Sequence, residues 1–225
     1  VRGPLGEKVW AKYGVLGGGR TAVIELAEAA GLPLVPLESR NPLDTTTYGV
    51  RELILAGWGE GCREFLIGMG GSATNDCGTG MAQALGVRFF DGQGREIREH
   101  MTGRRMGEAA LVDCNGVHAC VREGRFRVAC DVTNPLLGEL GASRVYSPQK
   151  GAGPADTELL ERNMERVIGV IEREMGREFR AVPGAGAAGG LACGLMAFAG
   201  AQLERGIEIV LREVGFAEKI KGADL

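Results

Sequence analysis

The sequence lacks the features that mark several common classes of protein. Its 26 Lys and Arg residues do not outnumber its 29 acidic residues, so the basic surface expected of a nucleic-acid-binding protein is absent. No apolar run approaches ~18 residues, and we therefore expect no membrane-spanning helix and no membrane partner. The six cysteines form no C-x-x-C pair and have no histidine at zinc-like spacing. We expect them to be reduced, mostly buried thiols of a cytoplasmic protein.

Glycine, in contrast, is abundant. The 38 glycines cluster in segments such as GVLGGG, GMGG and GAGAAGG, without the regular period of a collagen. Such clusters between apolar runs predict tight turns and close approaches of the backbone. No linker rich in proline and serine divides the chain, so we predict a single domain over residues 1–225. The two ends leave open whether this domain is a piece of a longer protein or a compact chain with a processed terminus.

The pattern of apolar residues predicts an α/β fold with a mixed sheet, flanking helices and hairpins. Alternation or short buried runs predict strands at 9–15, 21–26, 63–69 and 125–132, with a β-hairpin around Asp91 and Gly92. Helices are predicted at 26–31, 45–61, 75–86, 103–116, 156–176, 187–203 and 206–216. The hydroxyl residues at 45–47 are suited to cap the second of these helices.

The segment IGMGGSATNDCGTG, residues 67–80, contains G-x-G-x-x-A after a predicted strand. Asp91 follows at about the distance expected of a ribose-binding acid in a dinucleotide site. Three features weaken that interpretation: the helix is delayed, Asp91 belongs to a hairpin, and the preceding chain offers no matching parallel half. A single G-x-G-x-x-A is weak evidence, and no P-loop sequence is present.

The same segment can instead form a phosphate cradle. A strand that ends in glycines leaves backbone N–H groups free to face an anion, and the next helix adds the positive end of its dipole. The candidate anion-binding residues are Gly70, Gly71, Ser72, Thr74 and Asn75. Asp76 would either hold a metal or a proton, or merely cap the helix.

The segment ACDVTNPL, residues 129–136, places polar side chains at the end of an apolar strand. Strand ends of α/β sheets are where ligands bind, and Asp131 with Asn134 suits Mg²⁺ or the hydroxyl groups of a small polar substrate. The alternative is an Asx-turn before Pro135.

Two further segments are candidates for contact with an anion. The loop GASRVYSPQKGA carries Arg144 and Lys150, which can hold a carboxylate or phosphate, although ordinary surface charge is the commoner explanation of such residues. In VPGAGAAGGLACG, Gly184 and Gly186 allow the backbone to approach a ligand, or allow two helices to pack closely.

Taken together and in this order, these segments resemble type I glycerate kinases. The similar segments are VRGPLGEKV, IGMGGSATNDCGTGMAQALG, VACDVTNPLLGELGASRVYSPQKGA and VPGAGAAGGLACGLMAFAGAQLERGIEIV. Residues 100–120 match the family poorly, and Cys77 stands where the family often has glycine. The resemblance implies that the chain is the inserted second domain of a longer, two-domain enzyme, and that the remainder of that enzyme is its partner.

The resemblance also implies an activity, namely transfer of the ATP γ-phosphoryl group to D-glycerate with Mg²⁺. Catalytic roles would fall to Asp76, Asp131 and Lys150, with Asp131 also the candidate metal ligand. The resemblance does not say which carboxylate accepts the hydroxyl proton, which glycerate oxygen is phosphorylated, or whether the enzyme is a homo-oligomer. We expect the 225 residues alone to fold without catalysing. The alternatives are a stand-alone small-anion or nucleotide-binding module and an NAD-dependent oxidoreductase.

Overall fold

The computed structural model describes residues 1–222 and has the predicted α/β organisation. The last three residues of the predicted 1–225 domain lie outside the described range. The strands are β1 (Gly14–Val15), β2 (Thr21–Glu25), β3 (Glu64–Gly68), β4 (Arg88–Phe90), β5 (Leu111–Asp113), β6 (Arg125–Ala129) and β7 (Gln202–Glu204). The helices are α1 (Ala27–Ala30), α2 (Tyr48–Gly59), α3 (Thr79–Ala84), α4 (Ala119–Glu123), α5 (Ala142–Tyr146), α6 (Pro154–Met175), α7 (Leu191–Ala199), α8 (Gly206–Glu213) and α9 (Phe216–Lys219).

Within residues 1–222, five strands form a mixed sheet in the order β1-β2-β3-β6-β7. Strand β1 is antiparallel to β2, whereas β2, β3, β6 and β7 run parallel to one another. The strands β4 and β5 form a separate antiparallel pair. Because the four parallel strands share one direction, their carboxyl ends meet at one edge of the sheet, which is the edge where ligands bind in α/β folds.

One face of the sheet carries the first hydrophobic core. Alternation along the strands places Ala22, Phe65 and Phe126 side by side on this face, and the two phenyl rings stack at 4.9 Å between centroids. Helices α1, α2 and α7 contribute buried residues to the same cluster. The parallel strands are held by this packing, with their carboxyl ends in register.

A second core surrounds helix α6. Its apolar stripe is buried as predicted against the β4–β5 pair and α7, and it comprises Leu160, Met164, Val167, Ile168 and Ile171. Helix α7 contributes to both cores, with Leu195 in the first and Met196 in the second. The Gly/Ala-rich sequence of α7 allows it to pack closely on both sides. Among residues 1–222, no helix is both long and apolar enough to cross a membrane.

One predicted helix is wrong and several other elements are altered. Of the strand predicted at 9–15 only Gly14–Val15 is a strand, and the helix predicted at 187–203 is α7 followed by strand β7. Residues 103–116 form a short 3₁₀ turn, Arg105–Glu108, followed by strand β5, because Val112 is buried opposite Phe89 of β4. That pairing overrides the local helix propensity. Strand β4 therefore pairs mainly with β5, although the predicted turn after Asp91 is present. Helix α3 begins only at Thr79, after a turn in which Cys77 and Gly78 have φ of 56° and 69°.

Candidate active site

A cavity of about 520 Å³ opens at the carboxyl ends of β3 and β6. Its lining comes from the loops that follow these strands and from the segments before α6 and α7. The lining residues are Leu32, Met69, Gly70, Gly71, Ser72, Ala129, Cys130, Asp131, Val132, Tyr146, Gln149, Lys150, Ala187 and Ala188. All four segments singled out from the sequence therefore contribute to the lining. The glycine-rich segment before α7 does so through Ala187 and Ala188 and not through its glycines.

Lys150 is the most unusual side chain of this cavity. It ends a 3₁₀ turn, Pro148–Lys150, and is only 2% exposed. Its Nζ donates to the Thr74 carbonyl oxygen at 2.6 Å and to Ser72 Oγ at 3.4 Å. Burial lowers the pKa of Lys150 to about 7, and the charge of Asp76 opposes this only in part. An amine that gains a proton near neutral pH suits the binding of an anion in the cavity.

The glycine loop forms the wall of the cavity beside Lys150. Ser72 is fixed by an isolated bridge to Gly31, and its Oγ accepts a hydrogen bond from Thr74 N at 3.1 Å. Within residues 1–222, the backbone N–H groups of Gly70, Gly71 and Ser72 donate no hydrogen bond to the protein. Backbone N–H groups without an acceptor, in residues that line a cavity, can bind phosphate or carboxylate oxygens.

Asp131 supplies a carboxylate to the same cavity. It follows the end of β6, and its Oδ1 accepts a hydrogen bond from Gly206 N, the first residue of α8, at 2.9 Å. This contact leaves Oδ2 available for a ligand. Within residues 1–222 no cluster of three metal-ligating side chains exists. A single carboxylate is nevertheless enough where phosphate oxygens and water complete the shell of Mg²⁺.

Tyr146 is a lining residue that the sequence did not indicate. Its hydroxyl donates to Asn134 Oδ1 at 2.7 Å, and Asn134 Nδ2 in turn donates to the Leu140 carbonyl at 2.8 Å. Asn134, predicted to contact the substrate, does not line the cavity but orients the tyrosine that does. The sequence offered little to single out Tyr146, because a tyrosine near the end of a short helix carries no charge that would mark it as an anion ligand, unlike Lys150.

Asp76 is fully buried and is not one of the residues that line the cavity. Its carboxylate accepts hydrogen bonds from Thr47 N and Oγ1 at 2.9 and 2.8 Å, from Gly78 N at 3.1 Å and from Gly80 N at 3.2 Å. Burial raises its pKa, and these donated hydrogen bonds oppose that rise. The N-cap residue of α3 is Gly78 and not Asp76, but Asp76 accepts from the first turn of α3 through Gly80 N, from two residues before the N-cap. Of the hydroxyl residues at 45–47 expected to cap α2, Thr47 donates its hydroxyl to Asp76 instead, whereas Thr46 Oγ1 accepts from Tyr48 N, the first residue of α2, at 3.2 Å.

The other predicted anion ligands do not line the cavity. Thr74 and Asn75 are fully buried, and Asn75 Nδ2 donates to Ser143 Oγ at 3.1 Å. Arg144 forms an ion pair with Glu158 at 2.5 Å on the surface of α5. The cavity thus takes its cation from Lys150 alone among the described residues.

The glycine turn before α7 packs against the loop that follows β6. A Cβ on Gly186 would lie 2.4 Å from the Pro135 carbonyl oxygen, and one on Gly184 would lie 3.1 Å from Cys130 Sγ. These two glycines are therefore packing residues, and Ala187 and Ala188 line the cavity in their place. Ala188 has φ of 55°, a strained conformation for a residue with a side chain.

Gly189 holds the acceptor of Lys150 in position. Its φ is 68°, and a Cβ there would lie 2.0 Å from the Thr74 carbonyl oxygen. We predict that Gly189→Ala displaces this carbonyl and lowers the free energy of unfolding by about 3 kcal/mol. Gly176→Ala is the matched control, because Gly176 has φ of 63° and open space around its Cβ position. We expect Gly176→Ala to lower the free energy of unfolding, measured by urea denaturation, by only about 1 kcal/mol. Equal losses would contradict the steric explanation.

The dinucleotide interpretation does not fit this geometry. The neighbours of β3 in the sheet are β2 and β6, whereas β4, which precedes Asp91, lies in the separate pair. Asp91 accepts hydrogen bonds from Gln93 N and Arg95 N within its own turn. A ribose-binding acid would have to follow a strand adjacent to β3.

Comparison with known proteins gives one consistent result. The model of the glycerate kinase family matches residues 1–225. The chain is 48% identical over 225 residues to the glycerate kinase of Bacillus subtilis and to the glycerate 2-kinase of Escherichia coli, covering 100% of this chain and 58% of each relative. A crystal structure described as glycerate kinase 2 from Salmonella typhimurium LT2 superposes with a TM-score of 0.95 at 45% identity, over 100% of this chain and 59% of that one. The chain thus spans less than two thirds of the relatives it matches.

Proposed function

The chain belongs to the glycerate kinase family, and on this premise we propose that it forms part of an enzyme that transfers the γ-phosphoryl group of ATP to D-glycerate. One observation carries the proposal. Lys150, with its buried amine, lines the same cavity as Gly70, Gly71 and Ser72, whose backbone N–H groups donate to no acceptor among the described residues. Phosphoryl transfer depends on positioning and on charge neutralisation. The Lys150 amine can neutralise charge, and the backbone N–H groups can position an anion.

Lys150 and the glycine loop are proposed to bind the glycerate carboxylate or the phosphoryl group in transfer. The cavity volume of about 520 Å³ suits a ligand of this size together with part of a nucleotide phosphate chain. Tyr146, whose hydroxyl donates to Asn134, can accept a hydrogen bond from a substrate hydroxyl. In this proposal Thr74, Asn75, Gly184 and Gly186 lie outside the cavity lining and pack behind it. Arg144 pairs with Glu158 on the surface and is given no role in binding.

Asp131 is the proposed contact for Mg²⁺. The free Oδ2 and the position at the carboxyl edge support this role, and Mg²⁺ bound there would neutralise phosphate charge. Asp131 is also the only carboxylate among the described lining residues, and it is therefore the proposed base that accepts the proton of the substrate hydroxyl. Asp76 is less suited to that task, because the donors around it occupy its carboxylate and it has no exposed surface.

The rest of the active site is proposed to come from outside this chain. About two fifths of the length of the relatives has no counterpart here, since the chain covers 58% of each. We therefore propose that residues 1–225 bind ligands weakly and do not catalyse without that part. A cytoplasmic location is proposed because ATP is the donor and all six cysteines are free thiols.

The acceptor oxygen is proposed to be O2 of glycerate. The relative from Escherichia coli carries the name glycerate 2-kinase, and the identity of 48% extends over the whole chain. Analysis of the product by phosphorus NMR separates 2-phosphoglycerate from 3-phosphoglycerate.

The experiment that tests the proposal measures ATP-dependent phosphorylation of D-glycerate by the full-length protein that carries this chain. We expect Asp131→Asn to lower kcat/KM at least about 100-fold and to raise the Mg²⁺ concentration needed for half-maximal rate. Glu139→Gln, at a carboxylate 89% exposed and outside the cavity, is the matched control and should change kcat/KM less than about twofold.

Two results would reject the proposal. Wild-type activity in Asp131→Asn would remove Asp131 from the site. Absence of glycerate phosphorylation by the full-length wild-type protein, with tight binding of NAD or of inorganic phosphate alone, would favour an oxidoreductase or a simple anion-binding module.

A further inference from the structure

Helix α8 turns its apolar side toward solvent. Ile207, Val210, Leu211 and Val214 follow the spacing i, i+3, i+4, i+7 and are 54%, 54%, 37% and 46% exposed. Ile209 is the buried residue of this helix. An amphipathic helix of a globular protein normally directs such a stripe into the core.

The charged side of α8 is the side that contacts the protein. Arg212 pairs with Glu204 of β7 at 2.6 Å, and Glu213 pairs with Arg127 of β6 at 2.8 Å. At the other end of the helix, Gly206 N donates to Asp131. Turning the stripe inward would break all of these contacts, so its outward orientation is held at both ends of the helix.

The apolar stripe continues into the next helix. Phe216 of α9 and Ile220, the residue that follows α9, are 43% and 47% exposed. We call these six residues the α8–α9 apolar surface, namely Ile207, Val210, Leu211, Val214, Phe216 and Ile220. Contiguous exposed apolar side chains of this kind mark a surface that another molecule or segment covers.

The sheet beneath α8 is also incompletely covered. Val23 and Leu66 project to the side opposite the first core, and both are only half-buried. Parallel strands are generally covered on both faces. The missing cover is therefore on the same side of the sheet as α8, which contacts Arg127 there.

We propose that the α8–α9 apolar surface docks the polypeptide segment that corresponds to the two fifths of the relatives' length without counterpart in this chain. The length is the supporting argument, because the relatives match this chain over its whole extent and still carry that much more protein. A membrane surface is the poorer occupant, since the polar side of α8 carries Glu208 and Glu213 beside Arg212 and is not basic. This proposal goes beyond the catalytic function and does not depend on the substrate.

Docking there has a structural consequence for the cavity. Helix α8 begins at Gly206, which contacts Asp131, so a segment seated along α8 ends beside that carboxylate. The docked segment would thereby form the second wall of the cavity, which in the isolated chain opens to solvent.

The test uses the full-length protein that carries this chain. We expect Val210→Glu to lower the folding equilibrium constant about tenfold or more in urea denaturation, because a docked segment would bury Val210. Leu37→Glu is the matched control, since Leu37 is 75% exposed and lies outside the surface, and we expect less than a twofold change. In the wild-type protein, hydrogen exchange of the α8 amides should be as slow as that of core strands.

Several outcomes would overturn the proposal. If Val210→Glu behaves like Leu37→Glu and the α8 amides exchange fast, no segment covers the surface. If the wild type sediments as a dimer that Val210→Glu converts to a monomer, the occupant is a second copy. If the wild type binds vesicles of phosphatidylcholine and phosphatidylserine and the variant does not, the occupant is a membrane. Should Val210→Glu fail to fold, hydrogen exchange of the wild-type protein still shows whether the α8–α9 apolar surface is covered.

Discussion

Replacement of Lys150 by Met is expected to make the protein more stable and catalytically inert. At pH 7, lowering the pKa of the buried amine from 10.5 to about 7 costs the folded state about 4 kcal/mol. Methionine removes that cost but leaves the Thr74 carbonyl oxygen without its donor, which costs about 2 kcal/mol. We therefore expect a net gain of about 2 kcal/mol in the free energy of unfolding, with a loss of about 1,000-fold in kcat/KM.

The pH dependence of this gain has a definite sign. Between pH 7 and 10.5 the unfolded chain binds more protons than the folded one, so the stability of the wild type rises with pH in that window. The advantage of Lys150→Met in urea denaturation should accordingly shrink as pH rises from 7 to 10. Lys12→Met, at an exposed lysine, is the control and should have no such dependence. A variant destabilised at pH 7, or one that retains activity, would contradict the assigned role.

Asp76→Ala is expected to have the largest effect on stability. It would remove the acceptor of four hydrogen bonds donated within the core, from Thr47, Gly78 and Gly80. Unsatisfied buried donors cost about 1–3 kcal/mol each, and relief of the buried carboxylate returns part of this, so we expect a net loss of about 4 kcal/mol. The free energy of unfolding from urea denaturation measures it.

The control for Asp76→Ala is Asp91→Ala. Asp91 also accepts hydrogen bonds from nearby backbone N–H groups and pairs with Arg95, but water can reach its turn. We expect a loss below about 1 kcal/mol, since water replaces the lost acceptor. If Asp76→Ala instead kept full stability and lost activity, Asp76 would be a catalytic residue and the cap interpretation would be wrong.

Much of the fold could be predicted from local patterns. The short strands TAVIE and EFLIG and the apolar stripe of α6 were identified correctly, because each of these segments packs on a single apolar face. The alternation over residues 9–15, in contrast, corresponds only to the two-residue strand β1. Residues 103–116 could not be identified in this way. Strand β5 has only three residues, and it exists because Val112 meets Phe89, 23 positions away in the chain.

The site was predicted at the level of segments and less well at the level of side chains. Polar residues after β3 and β6 meet because parallel strands end at one edge, and Ser72 and Asp131 accordingly line one cavity. Which side chain of a loop faces inward depends on turns with positive φ, such as those at Gly71 and Gly151. Sequence patterns do not show this, and Tyr146 was therefore missed while Arg144 was included.

The most direct test of the account is a crystal structure of the full-length protein with D-glycerate and a nonhydrolysable analogue of Mg²⁺-ATP. We predict that the glycerate carboxylate or the γ-phosphate lies about 3 Å from Lys150 Nζ and from the N–H groups of Gly70, Gly71 and Ser72. Asp131 should contact Mg²⁺ or a ligand hydroxyl. Both ligands bound away from the 520 Å³ cavity, with Lys150 still hydrogen-bonded only to Thr74 and Ser72, would contradict the proposed site.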